Sequence, residues 1–356
     1  MNVVDLDDVT YLQTVDPAGM GDRVSELPRQ CREARALAEA YPLPIEFSLV
    51  DSIVILGMGG SAIAGDLVCT LVEDECSIPI FVNRDYDLPA FVNDHTLVIA
   101  SSYSGNTEET LSAFTEAVER GAWPLAITTG GKLAEMCREH RFPLITFAYE
   151  AQPRAALGYS FVPLLVTLQR LEFIADQSAE LEDATALMES LQAEIGVQVP
   201  ETDNAAKQVA RRLEGRLPVV YGAGHLSAVA RRWKCQFNEN SKGWGFWEVL
   251  PELNHNAVAG YEFPTALTKE MRVLMLSSDL YRPRHELRLQ VTAEILADKG
   301  IGHEVVQIQG QSRLSQALWA VHFGDYVSYY LALLHDTDPT PIKTIDYLKQ
   351  RLAPVS

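Results

Sequence analysis

The 356-residue chain is 47% apolar and carries a formal net charge of −19 at pH 7, from 29 Lys and Arg against 48 Asp and Glu. That is enough length and apolar content for two ordinary domains, each with its own core, and too acidic for a nucleic-acid partner, since polyanion binding needs clustered Lys and Arg and no long basic run occurs. Any phosphate it binds must be held by local dipoles.

In chain order, residues 1–19 put three acids among the first eight positions and contain no apolar stretch long enough for an export signal, which points to the cytoplasm. Helical spacing of Leu27, Cys31, Ala34, Leu37 and Ala40 predicts a helix over Ser25–Tyr41, ended by Pro42-Leu43-Pro44. Strand and helix then alternate. The mostly β-branched run Ser52–Leu56 enters Gly57-Met58-Gly59-Gly60-Ser61, and Ala62–Leu71 reads as a helix. Further strands are expected at Ile78–Val82, Thr96–Ala100, Leu125–Thr128 and Leu144–Phe147. Tyr159 to about Ile195 is helical; its most apolar part, Phe161–Leu168, is less than half of the roughly 20 residues a membrane span needs, so no membrane partner is expected. Val197–Asp203, with Pro200, reads as a linker.

The plan then restarts. Leu217–Val220 leads into Tyr221-Gly222-Ala223-Gly224-His225, a helix covers Ser227 to about Asn240, and strands at Val273–Ser277 and Glu304–Ile308 flank a helix over His285–Lys299. Helices at Arg313–Leu334 and Ile342–Leu352 close the chain. Apolar strands joined by crossover helices specify a parallel sheet covered on both faces. The expectation is therefore α/β: two doubly wound parallel-sheet αβα domains, residues 1–195 and 204–356, related by imperfect duplication. The five cysteines (Cys31, Cys69, Cys76, Cys137 and Cys235) are odd in number, lack any C-x-x-C pair and mostly sit in apolar helical patterns, as reduced thiols do. They imply neither a disulfide framework nor a metal site.

Gly57 to Ala62 satisfies G-x-G-x-x-A between a strand and a helix, a weak dinucleotide fingerprint and equally a tight turn without a ligand. The loop after the third strand, Ser101-Ser102-Tyr103-Ser104-Gly105-Asn106-Thr107-Glu108-Glu109-Thr110, argues against a nucleotide. Ser102, Ser104 and Thr107 can all donate from a loop that feeds a helix, and Gly105 removes a Cβ that would obstruct an anion. A compact phosphate monoester suits such a cup, whereas the acidic ribose ligand a dinucleotide wants would have to be Asp85, beside Arg84. Plain N-capping by Ser104 or Thr107 is the competing role. Here the chain resembles SIS domains that bind phosphosugars. The resemblance implies that Gly60, Ser61, Ser102, Ser104 and Thr107 hold the phosphate. The second glycine turn has no comparable hydroxyl loop, only Ser277-Ser278-Asp279 and Tyr281-Arg282, so that half is expected to keep the fold without the site.

Three further clusters carry groups able to move a proton or stabilise an enediolate. In Gln152-Pro153-Arg154-Ala155-Ala156-Leu157-Gly158 a guanidinium enters a buried helix, or pairs with Glu150 at the surface. In Gln236-Phe237-Asn238-Glu239-Asn240-Ser241-Lys242, Glu239 follows an apolar stretch whose partial burial would raise its pKa toward a base's value, or it is an exposed helix end. In Pro251-Glu252-Leu253-Asn254-His255-Asn256 a histidine sits between amides, suited to proton shuttling or to simple hydrogen bonding.

Together, in this order after the hydroxyl loop, the three clusters are similar to the pattern of the bifunctional phosphoglucose/phosphomannose isomerases, from Ile53 onward. That resemblance implies Glu239 as the proton-transfer base, Arg154 as the enediolate stabiliser and His255 as a ring-opening acid/base presented by the other subunit of a homodimer. It also implies a C-terminal lysine, Lys349 by distance from the chain end with Lys343 second, a sugar-phosphate substrate and no cofactor or metal. A C-terminal threonine goes with tolerance of mannose 6-phosphate; Thr337, Thr340 and Thr344 are all candidates. Three other readings compete. The isomerase half of glucosamine-6-phosphate synthase accompanies a glutaminase that begins with cysteine after the initiator, where this chain has Asn2. A non-catalytic phosphosugar sensor would carry a basic recognition helix, but the leader is acidic. A dehydrogenase on the first glycine turn would bind NAD.

Overall fold

Every residue of Ser52–Leu56 is buried, as a strand covered on both faces requires. In the computed structural model, which describes residues 4–352, that strand sits inside a five-stranded, all-parallel sheet. Ahead of it lie α1 (Val9–Val15), α2 (Met20–Ser25) and α3 (Leu27–Ala40). The first sheet is built from β1 (Ser52–Leu56), α4 (Gly59–Val72), β2 (Ile80–Asn83), β3 (Thr96–Ser102), α5 (Glu108–Glu119), β4 (Trp123–Thr128), α6 (Gly131–His140) and β5 (Leu144–Thr146), with strand order β2-β1-β3-β4-β5. Ile55 pairs with Val82 on one side and Ile99 on the other, which fixes the register of the switch from β1 to its two neighbours.

Helices α7 (Leu157–Arg170), α8 (Ser178–Ile195) and α9 (Ala205–Leu213) lead to the second sheet. It comprises β6 (Leu217–Ala223), α10 (Ser227–Glu239), β7 (Phe246–Leu250), α11 (Thr265–Thr268), β8 (Met271–Ser277), α12 (Pro283–Asp298) and β9 (Gly302–Gln307), with order β7-β6-β8-β9, again all parallel. That is the first four strands of the first sheet repeated, so the duplication is real and one strand short. Two helices finish the described chain, α13 (Arg313–Leu334) and α14 (Lys343–Leu352).

Several features depart from the sequence expectations, among them the short helices α1 and α11. The strand β7 lies at a sheet edge with Phe246 and Trp247 exposed, so it lacks the full burial that marks β1 and β3, and pairing with β6 alone makes it a strand. Helices α2 and α9 were not expected, although α9 has a local signal, since the Asn204 side chain caps it by accepting from the Lys207 amide and Ala206, Val209, Ala210 and Leu213 line one buried face. The helical stretch from Tyr159 to Ile195 is two helices, because Glu172 takes φ +61° just after α7 and reverses the chain.

Helix α4 packs on α7, α10 on α13, and α4 against α10 where the halves meet. One apolar cluster runs through both halves, and a smaller one lies under α5 and α6. Apart from its first residue, α13 is buried throughout, as expected for a helix apolar on all sides. Gly324 is what lets it approach α10: a Cβ there would lie 2.1 Å from the Trp233 indole nitrogen.

Candidate active site

In a sheet of order 2-1-3, the crevice for a ligand opens beyond the carboxyl ends of the first and third strands. Both predicted phosphate-binding segments lie there. Gly59 takes φ +50° to turn β1 into α4, and Ser61 is buried in the first helical turn. In the hydroxyl loop, Ser102 donates to Thr107 Oγ1 at 3.1 Å and accepts from the Gly105 N–H at 3.2 Å. Ser104 is exposed and accepts from the Asn106 N–H. Thr107 stands at the N-cap position of α5, yet its side chain caps nothing, so the capping role is not the one it fills and the first amides of α5 stay available. Gly105 also has a structural reason to be glycine. At φ +65° its Cβ would fall 1.8 Å from the Gly130 carbonyl oxygen, so the neighbouring loop requires the glycine whether or not an anion approaches.

The glycine turn also touches the next cluster. A Cβ on Gly60 would lie 2.8 Å from the Pro153 carbonyl oxygen and 3.1 Å from the Arg154 amide, so this glycine lets the short turn Pro153–Ala155 seat itself on α4. Arg154 is not a surface arginine paired with Glu150: its side chain is only 2% exposed. Its Nε donates to Asn240 Oδ1 at 2.6 Å, and one terminal nitrogen donates to the carbonyls of Pro339 (2.6 Å) and Thr340 (2.9 Å). The other terminal nitrogen has no hydrogen-bond partner among the described residues and lies 3.6 Å from the Glu239 carboxylate, which is 27% exposed. Burial pushes the guanidinium below its ordinary value against the pull of Glu239.

Around that pair the support is buried and polar. Arg232 donates to the Arg154 carbonyl at 3.1 Å and pairs with Asp325 at 2.6 Å, Gln236 donates to the other Asp325 oxygen, and Asn240 donates to Ser328. Arg232, Gln236 and Asn240 share one face of α10, which holds Glu239 and the Arg154 turn in one register. Lys242, which had no role in the sequence reading, and Thr340, one of the three candidate threonines, join the site. Lys242 donates to the carbonyls of Glu239 (2.6 Å) and Pro339 (2.9 Å); burial of the ammonium, then the nearby Arg154 charge, bring it down to about 8. Thr340 has a buried hydroxyl with no hydrogen-bond partner among the described residues. Their only sequence signals were the place of Lys242 three residues after Glu239 and of Thr340 among the C-terminal threonines.

Among the described residues neither His255 nor Lys349 makes a hydrogen bond or ion pair with Arg154 or Glu239. His255 lies exposed on the short turn Glu252–His255, and Lys349 and Lys343 lie on α14, a helix that buries none of its residues. At the second glycine turn Gly224 repeats the left-handed conformation of Gly59, but the Tyr281 hydroxyl accepts from the Ala223 amide at 3.1 Å and Gln316 bridges His225 and Ser278. Protein side chains fill the hydrogen-bonding positions that the first half leaves open.

Compared with known proteins, residues 46–171 match the SIS domain and residues 202–352 match the bacterial phospho-glucose isomerase C-terminal SIS domain. The chain is 42% identical to a bifunctional phosphoglucose/phosphomannose isomerase of Caldicellulosiruptor bescii, across 94% of this chain and 99% of that one. It is 39% identical to the Aquifex aeolicus protein of the same name, across 84% and 90%. Among solved structures, the C-terminal domain of glucosamine-fructose-6-phosphate aminotransferase from Francisella tularensis superposes with a TM-score of 0.72 at 16% identity, covering 90% of this chain and 98% of that one; this likeness bears on the fold alone.

Proposed function

The chain belongs to the bifunctional phosphoglucose/phosphomannose isomerases, and from that premise we propose that it interconverts glucose 6-phosphate and mannose 6-phosphate with fructose 6-phosphate by proton transfer through a cis-enediolate. The observation that carries the mechanism is the pairing of a partly open carboxylate, Glu239, with the free edge of a buried guanidinium, Arg154, at 3.6 Å. Gly60, Ser61, Ser102, Ser104 and Thr107 hold the phosphate, which turns the encounter of carbons 1 and 2 with Glu239 into an oriented reaction.

Glu239 takes the proton from carbon 2 of the open aldose, the C2–H electron pair becomes the C1–C2 double bond, and the carbonyl oxygen on carbon 1 becomes the charged oxygen. Arg154 stabilises that charge. Transfer of the hydroxyl proton from oxygen 2 to oxygen 1 and return of the carbon-bound proton to carbon 1 complete the ketose. Glucose and mannose 6-phosphates differ only in configuration at carbon 2 and, with rotation about the bond from carbon 2 to carbon 3 before deprotonation, give the same enediol, so one base serves both. Of the three candidate threonines, Thr340 is the one we assign to the mannose reaction, because its unpartnered hydroxyl lies beside the carbonyl that Arg154 holds.

His255 and Lys349 open the sugar ring in this scheme, and both reach the site in a homodimer. Exposed apolar side chains support that assembly: Ile345, Leu348 and Leu352 on α14, and Trp244, Phe246 and Trp247 beside β7. The cytoplasmic assignment rests on the free state of all five cysteines. The test is a coupled assay on fructose 6-phosphate with wild type and Glu239→Gln. A wild type that forms neither aldose refutes the activity, and a variant at full rate refutes the base.

A further inference from the structure

Three residues past Glu239, Lys242 takes φ +53°, a left-handed conformation that a lysine adopts at a cost of about 1–2 kcal/mol. The turn brings its ammonium back over the end of α10, where it donates to the Glu239 carbonyl. A cation that only complemented the helix dipole would need no more than this. Its second bond reaches 97 residues on, to the Pro339 carbonyl. Arg154 donates to that same oxygen, so two cations hold one acceptor, and Arg154 also holds the next carbonyl, that of Thr340. The segment they grip is itself shaped by Asp338, whose carboxylate accepts from the Thr340 amide at 2.8 Å.

On the isomerase reading above, we propose that Lys242 is a positioning residue that clamps the Asp338–Thr340 strap to the end of the helix carrying Glu239, and so sets the Thr340 hydroxyl and the free edge of Arg154 relative to the base. Without the clamp, Pro339 keeps only Arg154, and the strap can shift along the guanidinium. The part of the site that moves is the part facing carbon 2, where the two aldoses differ. The charged groups facing the ammonium are Arg154, Asp338 and Glu239. With its proton lost above about pH 8, Lys242 keeps its place but exchanges two charge-assisted bonds for neutral ones of roughly half the strength.

The test uses the full-length protein, with Lys242→Met and Lys242→Arg. The measurements are kcat and KM on fructose 6-phosphate, the partition of product between the two aldoses, and the pH profile from 6.5 to 9.5. Lys242→Met is expected to lose about tenfold in kcat, to change the partition at least about twofold, and to lack the decline that wild type shows above about pH 8. Lys242→Arg, which stays charged throughout, is expected to restore most of that rate and to carry the decline upward by more than about one pH unit. A methionine variant with the wild-type partition and the wild-type alkaline decline overturns the clamp, whatever its rate or melting temperature. A wild type inactive on fructose 6-phosphate instead removes the isomerase reading, and the catalytic role of Lys242 goes with it.

Discussion

Replacing Arg154 by lysine keeps the charge and removes the fork. Three of the five N–H groups of Arg154 are given to Asn240, Pro339 and Thr340, and two face Glu239. A lysine concentrates three donors on one atom and cannot span acceptors on opposite sides of a buried guanidinium. Pro339 retains Lys242, so the acceptors left short are Asn240 Oδ1 and the Thr340 carbonyl. At about 1–3 kcal/mol for each buried group that loses its partner, and allowing for relaxation, Arg154→Lys should lose about 2–4 kcal/mol of stability. Its catalytic loss is separate: removing a placed donor from a developing oxyanion costs about 10²- to 10³-fold in kcat. The assays are urea unfolding and the coupled assay on fructose 6-phosphate, with KM measured alongside. The expected signature is a kcat at least about 100-fold down with KM changed by less than about threefold, since an interaction made only in the transition state leaves KM nearly alone. A folded Arg154→Lys protein with kcat within about threefold of wild type would falsify the assignment of Arg154 to the enediolate.

Gly60→Ala places a methyl group 2.8 to 3.1 Å from backbone atoms of Pro153 and Arg154, none of which can turn aside. It should cost about 1–3 kcal/mol of stability from overpacking and about tenfold or more in kcat from displacing Arg154; an alanine enzyme of wild-type rate and melting temperature would show that the contact positions nothing. His322 is fully buried, neither ring nitrogen has a hydrogen-bond partner among the described residues, and burial pushes it down to about 3 from an ordinary 6.5. Below pH 6.5 the unfolded chain therefore binds a proton that the folded one refuses, so stability is lost as pH falls toward 3. His322→Leu should lower the slope of unfolding free energy between pH 6 and 4 by up to one proton, about 1.4 kcal/mol per pH unit, with the buried His225 still contributing its own; an unchanged slope refutes the point.

The chemistry-bearing segments were legible because each is local. A strand buried at all five positions, a glycine turn and a helix start are neighbours in sequence, so Ser52–Leu56 and the loop from Ser102 to Thr107 could be placed from residue types alone. The same holds for the repeat of strand, glycine turn and helix at Leu217–Glu239, and for α13, whose bounds match the expected ones residue for residue. The elements missed include α9, whose cap and apolar spacing are local, and one that has no local pattern at all. The edge strand β7 has exposed aromatic residues and exists because β6 offers it a ladder, which no window of residues contains.

What only the tertiary structure decided is which polar groups meet. Taken alone, Arg154 fits a surface ion pair with Glu150 as well as it fits a catalytic role; folding settles the matter by burying it against Asn240 and the carbonyls of Pro339 and Thr340, 86 to 186 residues away. The roles of Lys242 and Thr340 depend on that same convergence, and the neighbouring loop's need for Gly105 shows only in the fold. The physical reason is the range of the forces. Periodicity and turn chemistry act over a few residues and are written in sequence order, whereas desolvation and hydrogen-bond satisfaction depend on every group that folding packs around a side chain.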